Sequence, residues 1–279
     1  MTVTGVLPTD AGAVLVVGGT GKTGRRVATR LVERGYDVRI GSRSAAVPFD
    51  WHDESTWRPA LDGVTAAYLT YYPDLALPGA VEHVRDFSRL AAERGVERLV
   101  LLSGRGEEAA EAGERAVMDS GVPAWTIVRC AWFNQNFDES FFLDPVLAGE
   151  VALPVGDALE PFVDAEDIAD VAVAALTEPG HAGEVYELTG PRLLSFADAV
   201  GELALATGRR IRFTPVTAQE YRAVLEAEGL PGDLVELFTL VLDGRNASLC
   251  DGVERALGRK PKDFADYARE AAATGVFNA

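Results

Sequence analysis

Short apolar runs alternate with longer amphipathic segments over the first half of the chain. This pattern is typical of parallel strands joined by crossover helices. Residues 13–17 (AVLVV) are apolar at every position, as in a strand buried on both faces. Further strands are predicted at 37–41, 47–49, 65–69, 98–102 and 124–129. Apolar residues spaced three and four apart predict helices ending at Gly35, over 81–94 and over 109–120.

The regular alternation ends at Cys130. A stretch punctuated by Pro and Gly runs to Pro161, and the later pattern predicts helices at 166–176, 195–207 and 219–229 and a strand at 185–188. Ser195 is the expected N-cap of the second of these helices. We therefore predict an α/β protein. Residues 1–130 form a Rossmann-like, doubly wound parallel sheet, and residues 131–279 form a smaller mixed C-terminal substrate lobe whose strand near 184–189 returns to that sheet.

Composition excludes several classes of function. The chain has 279 residues, 48% of them hydrophobic, and a formal net charge of −17 with scattered basic residues, which argues against nucleic acid as a partner. No apolar stretch approaches the roughly 20 residues of a membrane helix, and no basic segment precedes the first apolar run, so we expect a soluble cytoplasmic protein. Cysteines and histidines are few and dispersed, which predicts no disulfide framework and no metal site: Cys130, Cys250, His52, His83 and His181.

The strongest chemical signal is a glycine-rich turn placed directly after the first strand. Its sequence is GGTGKTG from Gly18 to Gly24, and it opens a predicted helix. Such a turn lets the backbone approach a pyrophosphate that is bound at the helix N-terminus, so it indicates a dinucleotide site. A Walker A loop for ATP or GTP needs a glycine five positions before Gly21, where this chain has Val16.

The end of the second strand indicates which dinucleotide is bound. NAD-preferring sites carry an acidic residue there, whereas this chain has Gly-Ser-Arg-Ser from Gly41 to Ser44. The Arg43 guanidinium and the Ser42 hydroxyl suit the 2′-phosphate of NADP(H), and Arg25 or Arg26 at the start of the first helix could share or take over the role of Arg43. Asp50, at the end of the predicted third strand, is expected beside the adenine or, equally, as a turn aspartate.

Taken together, these residues resemble the atypical, NmrA-like branch of the short-chain dehydrogenase/reductase superfamily. The resemblance runs nearly from end to end and includes VVGGTGKTGRRVA, GSRS, FDWHDESTW, RLVLLSG, WFNQNF, PFVDAEDIADVAVAAL and ELTGP. FDWHDESTW and WFNQNF are most similar to the ergot-alkaloid-type reductases, the agroclavine and festuclavine dehydrogenases, which reduce a cyclic iminium with NADPH.

The resemblance implies roles for individual residues. Contacts to the pyrophosphate are implied for Gly18, Thr20, Gly21, Lys22, Thr23 and Gly24, and a contact to the NADP phosphate for Arg43. Contacts on the nicotinamide side are implied for Thr70, Tyr71, Ser103 and the WFNQNF segment, which includes Trp132 and Asn136. Cys130-Ala131 stands where relatives commonly have Pro-Thr.

The usual general acid of the superfamily is missing. A Tyr-x-x-x-Lys pair is expected on the helix after the fifth strand, but that segment, EEAAEAGERAVMDSG, has neither residue. An iminium needs no proton, so we predict hydride transfer from NADPH to a small organic substrate of that kind. Asp138, Glu139 or Asp164 would offset its charge, or act as caps or surface residues.

Two alternatives remain open. In the first, the protein reduces a ketone, enone or quinone, with Tyr72 as the first candidate for the proton donor and Tyr71 or Ser103 as the others. In the second, it is a non-catalytic NADP sensor that signals through a protein partner. In each case the ligands are small molecules. The expected assembly is a monomer or a homodimer.

Overall fold

The computed structural model describes residues 12–227, 235, 238 and 242–278, which form two compact units. The first comprises residues up to 103 together with 108–128 and 169–185. The second comprises 104–107, 129–168 and 186 onward. Segment 169–185, which the sequence placed in the predicted substrate lobe, thus belongs to the first unit.

Secondary structure follows the alternation of the sequence. The strands are β1 Ala13–Val17, β2 Val38–Gly41, β3 Val64–Leu69, β4 Arg98–Gly104, β5 Ala124–Cys130, β6 Glu150–Leu153, β7 Leu159–Glu160, β8 Glu184–Leu188, β9 Leu194–Ser195 and β10 Arg212–Pro215. The helices are α1 Lys22–Glu33, α2 Trp57–Ala60, α3 Ala80–Glu93, α4 Glu108–Met118, α5 Leu143–Ala148, α6 Ala165–Thr177, α7 Phe196–Thr207, α8 Ala218–Ala227, α9 Gly252–Leu257 and α10 Phe264–Ala273.

The central sheet has six strands in the order β2-β1-β3-β4-β5-β8. The pairs β1–β2, β1–β3 and β3–β4 are parallel. All five residues of β1 are buried, as expected for a strand covered on both faces. These features confirm the predicted Rossmann-like α/β fold. The direction of strand order changes at β1, which lies between β2 and β3, and open α/β sheets bind their ligands at such a point.

The predicted strand at 47–49 is wrong. This segment is a loop without strand pairing. Pro48 has no N–H to donate to a ladder, and the Phe49 N–H donates back to the Ser42 carbonyl at 3.0 Å. The apolar side chain of Phe49 is accounted for by packing in the interior. Its ring lies edge-on to those of Trp51 and Phe87, with centroids 5.0 and 5.3 Å apart. The apolar pattern thus reflects burial of an aromatic loop.

The predicted helices lie within one or two residues of those observed. Gly35 and Gly95 follow α1 and α3 with φ of 84° and 82°, as expected for glycines that end helices. Ser195 caps α7, since its Oγ accepts from the Asp198 N–H at 3.1 Å and the Asp198 carboxylate in turn accepts from the Ser195 N–H. The helix predicted at 219–229 begins at Ala218, and its last two predicted residues lie outside the described residues.

The second unit is organised around buried phenylalanines. Phe137 is fully buried, with ring centroids 5.2 Å from Phe142, 6.0 Å from Phe162 and 5.6 Å from Phe264. Two small sheets flank this core, a parallel pair of β6 with β10 and an antiparallel pair of β7 with β9. This unit therefore has a mixed architecture with its own core.

Candidate functional site

The turn between β1 and α1 is built so closely that it requires glycine. Gly18 has a φ of +70°, and a Cβ there would lie 2.1 Å from the Thr70 Oγ1. A Cβ on Gly24 would lie 2.1 Å from the Gly18 carbonyl oxygen. The turn is closed by the Gly21 N–H, which donates to that same oxygen at 2.9 Å. A larger residue at position 18 would be strained by the positive φ and would overlap the Thr70 side chain, and one at position 24 would overlap backbone.

The first turn of α1 presents an anion-binding end. Gly21 is the N-cap, and neither a capping side chain nor an acidic residue occurs in this turn. The first N–H groups of a helix have no partner within the helix, and together with its dipole they favour an anion. Thr20 and Gly21 are exposed, Lys22 is half-buried, and Thr23 is buried beneath them. The described turn thus offers backbone donors at an accessible position.

The residues after β2 give this edge of the sheet a positive charge. Gly41 is buried beside β1, Ser42 is half-buried, and the Arg43 side chain is exposed. Within the described residues Arg43 makes no hydrogen bond or ion pair. A guanidinium of this kind is available for bidentate bonds to a phosphate.

Asp50 and Tyr71 belong to one aromatic group in the first unit. The Asp50 carboxylate accepts from the His52 N–H at 3.0 Å. This bond is typical of a turn aspartate, one of the two roles expected for Asp50. The Tyr71 hydroxyl and His83 Nδ1 are 2.8 Å apart, and the Tyr71 and Trp51 ring centroids are 5.2 Å apart. Burial, followed by the Asp50 charge, raises the pKa of Tyr71. His83, the partner of Tyr71, was not identified from the sequence because it lies 12 residues away on α3.

Thr70 connects the end of β3 to the glycine turn. Its Oγ1 donates to the Val17 carbonyl at 3.1 Å, and its own carbonyl accepts from the Trp51 Nε1 at 2.9 Å. The structure therefore brings Thr70 and the glycine turn together at the point where the strand order reverses.

Two of the predicted proton donors, Tyr72 and Ser103, have different surroundings. Tyr72 is 77% exposed. Ser103 is buried, and its Oγ donates to the Glu114 carboxylate at 2.6 Å. Glu114, on α4, is itself 1% exposed. The Ser103 proton is consequently held by a carboxylate, and a different hydroxyl orientation is needed before it can be donated elsewhere.

The WFNQNF segment belongs to the second unit, where it continues from β5. Trp132 packs against Phe142, Phe196 and Phe238, with centroids 5.6 to 6.5 Å away. Its Nε1 is buried and has no hydrogen-bond partner in the described structure. Asn136 is half-buried in a short 3-10 turn. The orphaned indole N–H marks this segment as one that can still accept a polar partner.

The three acidic residues that were expected to offset the charge of an iminium substrate already have partners within the protein. Asp164 accepts from the Glu166 N–H at 2.8 Å and so caps α6, and Asp138 accepts from the Tyr267 hydroxyl at 2.7 Å. Glu139 is half-buried and has partners of its own. Asp164 is a structural cap, which was one of the two roles expected for it.

Glu160 was not identified from the sequence, although it is the most perturbed carboxyl in the second unit. It lies on β7, is 2% exposed, and accepts one hydrogen bond, from the Trp132 N–H at 3.3 Å. Burial raises the pKa of Glu160 to about 7, against the opposing effects of that bond and of the Arg105 charge. The sequence does contain one indication of a buried Glu160, since this residue is the single charge between apolar residues in the run ALEPFV.

Comparison with known proteins places the chain in a family. No family model matches it. It is 34% identical to the (4-alkanoyl-5-oxo-2,5-dihydrofuran-3-yl)methyl phosphate reductase of Streptomyces griseus subsp. griseus, over 92% of this chain and 97% of the relative. It is 32% identical to the agroclavine dehydrogenase of Claviceps fusiformis, over 91% and 95%. The chain belongs to the NmrA-like oxidoreductases.

Solved structures agree with the fold of this NmrA-like oxidoreductase. The NADPH-dependent quinone oxidoreductase QOR2 of Escherichia coli superposes with a TM-score of 0.76 at 19% identity, over 92% of this chain and 99% of that one. Among the described residues, no helix is both long and apolar enough to cross a membrane.

We expect Gly24→Ala to destabilise this NmrA-like oxidoreductase by about 1–3 kcal/mol, because the new methyl group overlaps the Gly18 carbonyl. Gly201→Ala on α7 is the matched control, since its Cβ meets no atom within 4 Å. It should be stabilising by up to about 1 kcal/mol through helix propensity. Urea denaturation of the two variants measures both changes, and equal effects would contradict the predicted overlap.

The buried Glu160 predicts a pH dependence of stability. Its carboxyl titrates near 4.5 when unfolded and near 7 when folded, so the folded state holds the proton more tightly. This contribution is fully present below pH 4.5 and is lost as the pH rises through about 7. The loss is on the order of 3 kcal/mol. Glu160→Gln should abolish it, and the difference in unfolding free energy between wild type and variant, measured across this range, isolates Glu160 from other groups.

Proposed function

We propose that this protein is an NADPH-dependent reductase that transfers a hydride to a small organic acceptor. The observation that carries the proposal is the glycine turn, where a Cβ on Gly24 would lie 2.1 Å from the Gly18 oxygen. Such a turn leaves room for a diphosphate against the start of α1. The proposal agrees with the membership of the chain in the NmrA-like oxidoreductases.

The residues present fit the coenzyme. The backbone and side chains of the turn would hold the pyrophosphate: Gly18, Thr20, Gly21, Lys22, Thr23 and Gly24. Ser42 and Arg43 would bind the 2′-phosphate, and Asp50 would lie by the adenine. Thr70, Tyr71, Trp132 and Asn136 would contact the nicotinamide side. When bound, NADPH supplies the hydride and its two electrons.

A cyclic iminium is the acceptor that we propose. Described helix α4 has no Tyr-x-x-x-Lys pair, and the Ser103 hydroxyl is already bonded to Glu114. An iminium becomes a neutral amine on accepting a hydride, so the site needs only to orient it and to offset its charge. The relative named agroclavine dehydrogenase supports an acceptor from specialised metabolism.

The test is oxidation of NADPH, followed by its absorbance, with an N-methylated dihydroisoquinolinium salt as the acceptor. We expect NADPH to be consumed and the corresponding cyclic amine to form. Tight NADPH binding with no turnover of iminium, ketone or quinone acceptors, together with a co-purifying protein, would instead support a coenzyme sensor.

The role of Arg43 gives a separate prediction. Arg43→Ala should weaken binding of NADPH by tenfold or more and leave NADH nearly unchanged, because only NADPH carries the 2′-phosphate. Arg89→Ala, which removes an exposed arginine on α3, controls for the loss of one surface charge. Titration of tryptophan fluorescence with each coenzyme measures the affinities. Equal weakening for both coenzymes would refute the assignment.

A further inference from the structure

The hydrogen-bonded pair of Tyr71 and His83 lies in the first unit, and hydride transfer to an iminium leaves it unused. We propose that Tyr71 is a catalytic proton donor and that His83 is the positioning residue that holds it and returns its proton. The pair gives the protein a further activity at the same site, the reduction of neutral conjugated acceptors such as quinones and enones. This inference rests on the proposed function, because both activities need the same hydride.

The position of Tyr71 is the first argument. Strands β1 and β3 are parallel neighbours in the central sheet, and the strand order reverses between them. Gly18 follows β1 and Thr70 follows β3, and the Thr70 Oγ1 donates to the Val17 carbonyl at 3.1 Å. Tyr71 is the next residue. It therefore lies at the carboxyl ends of the two strands between which an open α/β sheet binds its ligand, in the same unit as the glycine turn.

The second argument is that the phenol is held in place. The Tyr71 Oη and His83 Nδ1 are 2.8 Å apart. Trp51 packs against the Tyr71 ring with centroids 5.2 Å apart, and Trp57 packs against the His83 ring at 6.2 Å. Trp51 is itself fixed, since its Nε1 donates to the Thr70 carbonyl at 2.9 Å. The pair is thus preorganised by aromatic packing, as a proton donor needs to be.

Access distinguishes Tyr71 from the other two predicted donors. Tyr71 and His83 are half-buried, so the phenol is held and can still be reached. Tyr72 is 77% exposed, and among the described residues its hydroxyl has no hydrogen-bond partner. The Ser103 Oγ is buried and donates to the Glu114 carboxylate at 2.6 Å. Of the three hydroxyls, only that of Tyr71 combines a fixed position with access.

The groups around the pair explain why the phenol needs its partner. Burial, followed by the Asp50 charge, raises the pKa of Tyr71, so a tyrosinate left behind is unfavourable and has to be reprotonated. An imidazole can give and regain a proton near neutrality, and the exposed ring of His52 lies 5.2 Å from that of His83. When His83 Nδ1 carries a hydrogen, it donates to the Tyr71 Oη, which leaves the phenol O–H to point at an acceptor.

The reaction balances with the groups named. The hydride brings two electrons and forms a C–H bond at one end of the conjugated acceptor, and a π pair moves to the acceptor oxygen. That oxygen takes the Tyr71 proton as the phenol O–H bond breaks. The Tyr71 oxygen takes the Nδ1 proton of His83, which regains a proton from water. The resulting enol tautomerises to the saturated ketone from an enone, or to the hydroquinone from a quinone.

The experiment compares menadione, a neutral quinone, with the dihydroisoquinolinium salt, and measures the ratio of their kcat values in each variant. Tyr71→Phe keeps the ring and removes the proton, so it should lower this ratio by about 10²-fold or more, since general acids contribute 10²–10⁴-fold. Tyr72→Phe is the matched control at the neighbouring position and should keep the wild-type ratio. Because both acceptors are measured on one variant, changes in folding or coenzyme binding cancel.

His83 is tested as a positioning residue. His83→Asn keeps a side chain that can bond the phenol but passes no proton, so kcat for menadione should fall by about tenfold while its KM stays nearly constant. A changed KM with an unchanged kcat would indicate a merely structural role and contradict the assignment.

A readout independent of turnover accompanies the kinetics. In nitrogen NMR of the isotope-labelled protein without coenzyme, Tyr71→Phe should shift the Nδ1 signal of His83, because the hydrogen bond is lost. Tyr72→Phe should leave that signal in place. A signal that does not respond to Tyr71→Phe would contradict the pairing on which the inference depends.

Three kinetic results would overturn the inference. In the first, Tyr71→Phe keeps the ratio of menadione to iminium turnover. In the second, Tyr72→Phe lowers that ratio instead. In the third, the iminium is reduced and menadione is not, which leaves the proposed function intact. If neither acceptor is reduced, the proposed function itself fails and this inference fails with it.

Discussion

The close approach of two backbone segments at the end of β1 is the constraint on which the rest of the protein depends. The Gly18 carbonyl occupies the position that a side chain on Gly24 would need, and Gly18 itself faces the Thr70 hydroxyl. This contact sets where α1 begins relative to β1 and β3. Because the first N–H groups of a helix have no partner within the helix, one packing constraint both joins helix to sheet and fixes the position of the anion-binding end.

A second constraint is the cost of burying carboxyl groups in the second unit. Asp164 and Asp167 accept several hydrogen bonds there, among them one from the Arg259 guanidinium to Asp167, yet burial still raises the pKa of Asp164. Glu160 accepts a single hydrogen bond, and burial raises its pKa to about 7. Hydrogen bonds thus offset part of the cost of burial at Asp164, and Glu160 has fewer of them.

Local rules predicted some elements well and failed at others for identifiable reasons. The strand at 13–17 is apolar because it is covered on both faces, so its pattern was sufficient. The segment 47–49 carries a similar pattern, yet Phe49 is buried by Trp51 and Phe87, and Pro48 cannot join a ladder. Short apolar runs do not distinguish pairing from simple burial. The proton donors show the same limit, since only the structure shows that Glu114 holds the Ser103 hydrogen.

The sequence by itself determined the features that depend on neighbouring residues, namely the order of strands and helices, the glycine turn, the Ser195 cap and the cluster Ser42-Arg43 after β2. Each follows from spacing along the chain, because turns, caps and buried strands are set by residues within a few positions of one another. Only the tertiary structure decided which distant side chains meet, as with Tyr71 and His83, Ser103 and Glu114, or Trp132 and Glu160. Protonation and hydrogen bonding in the interior depend on those long-range contacts, so the chemical state of Glu160 became visible only after folding had removed it from water.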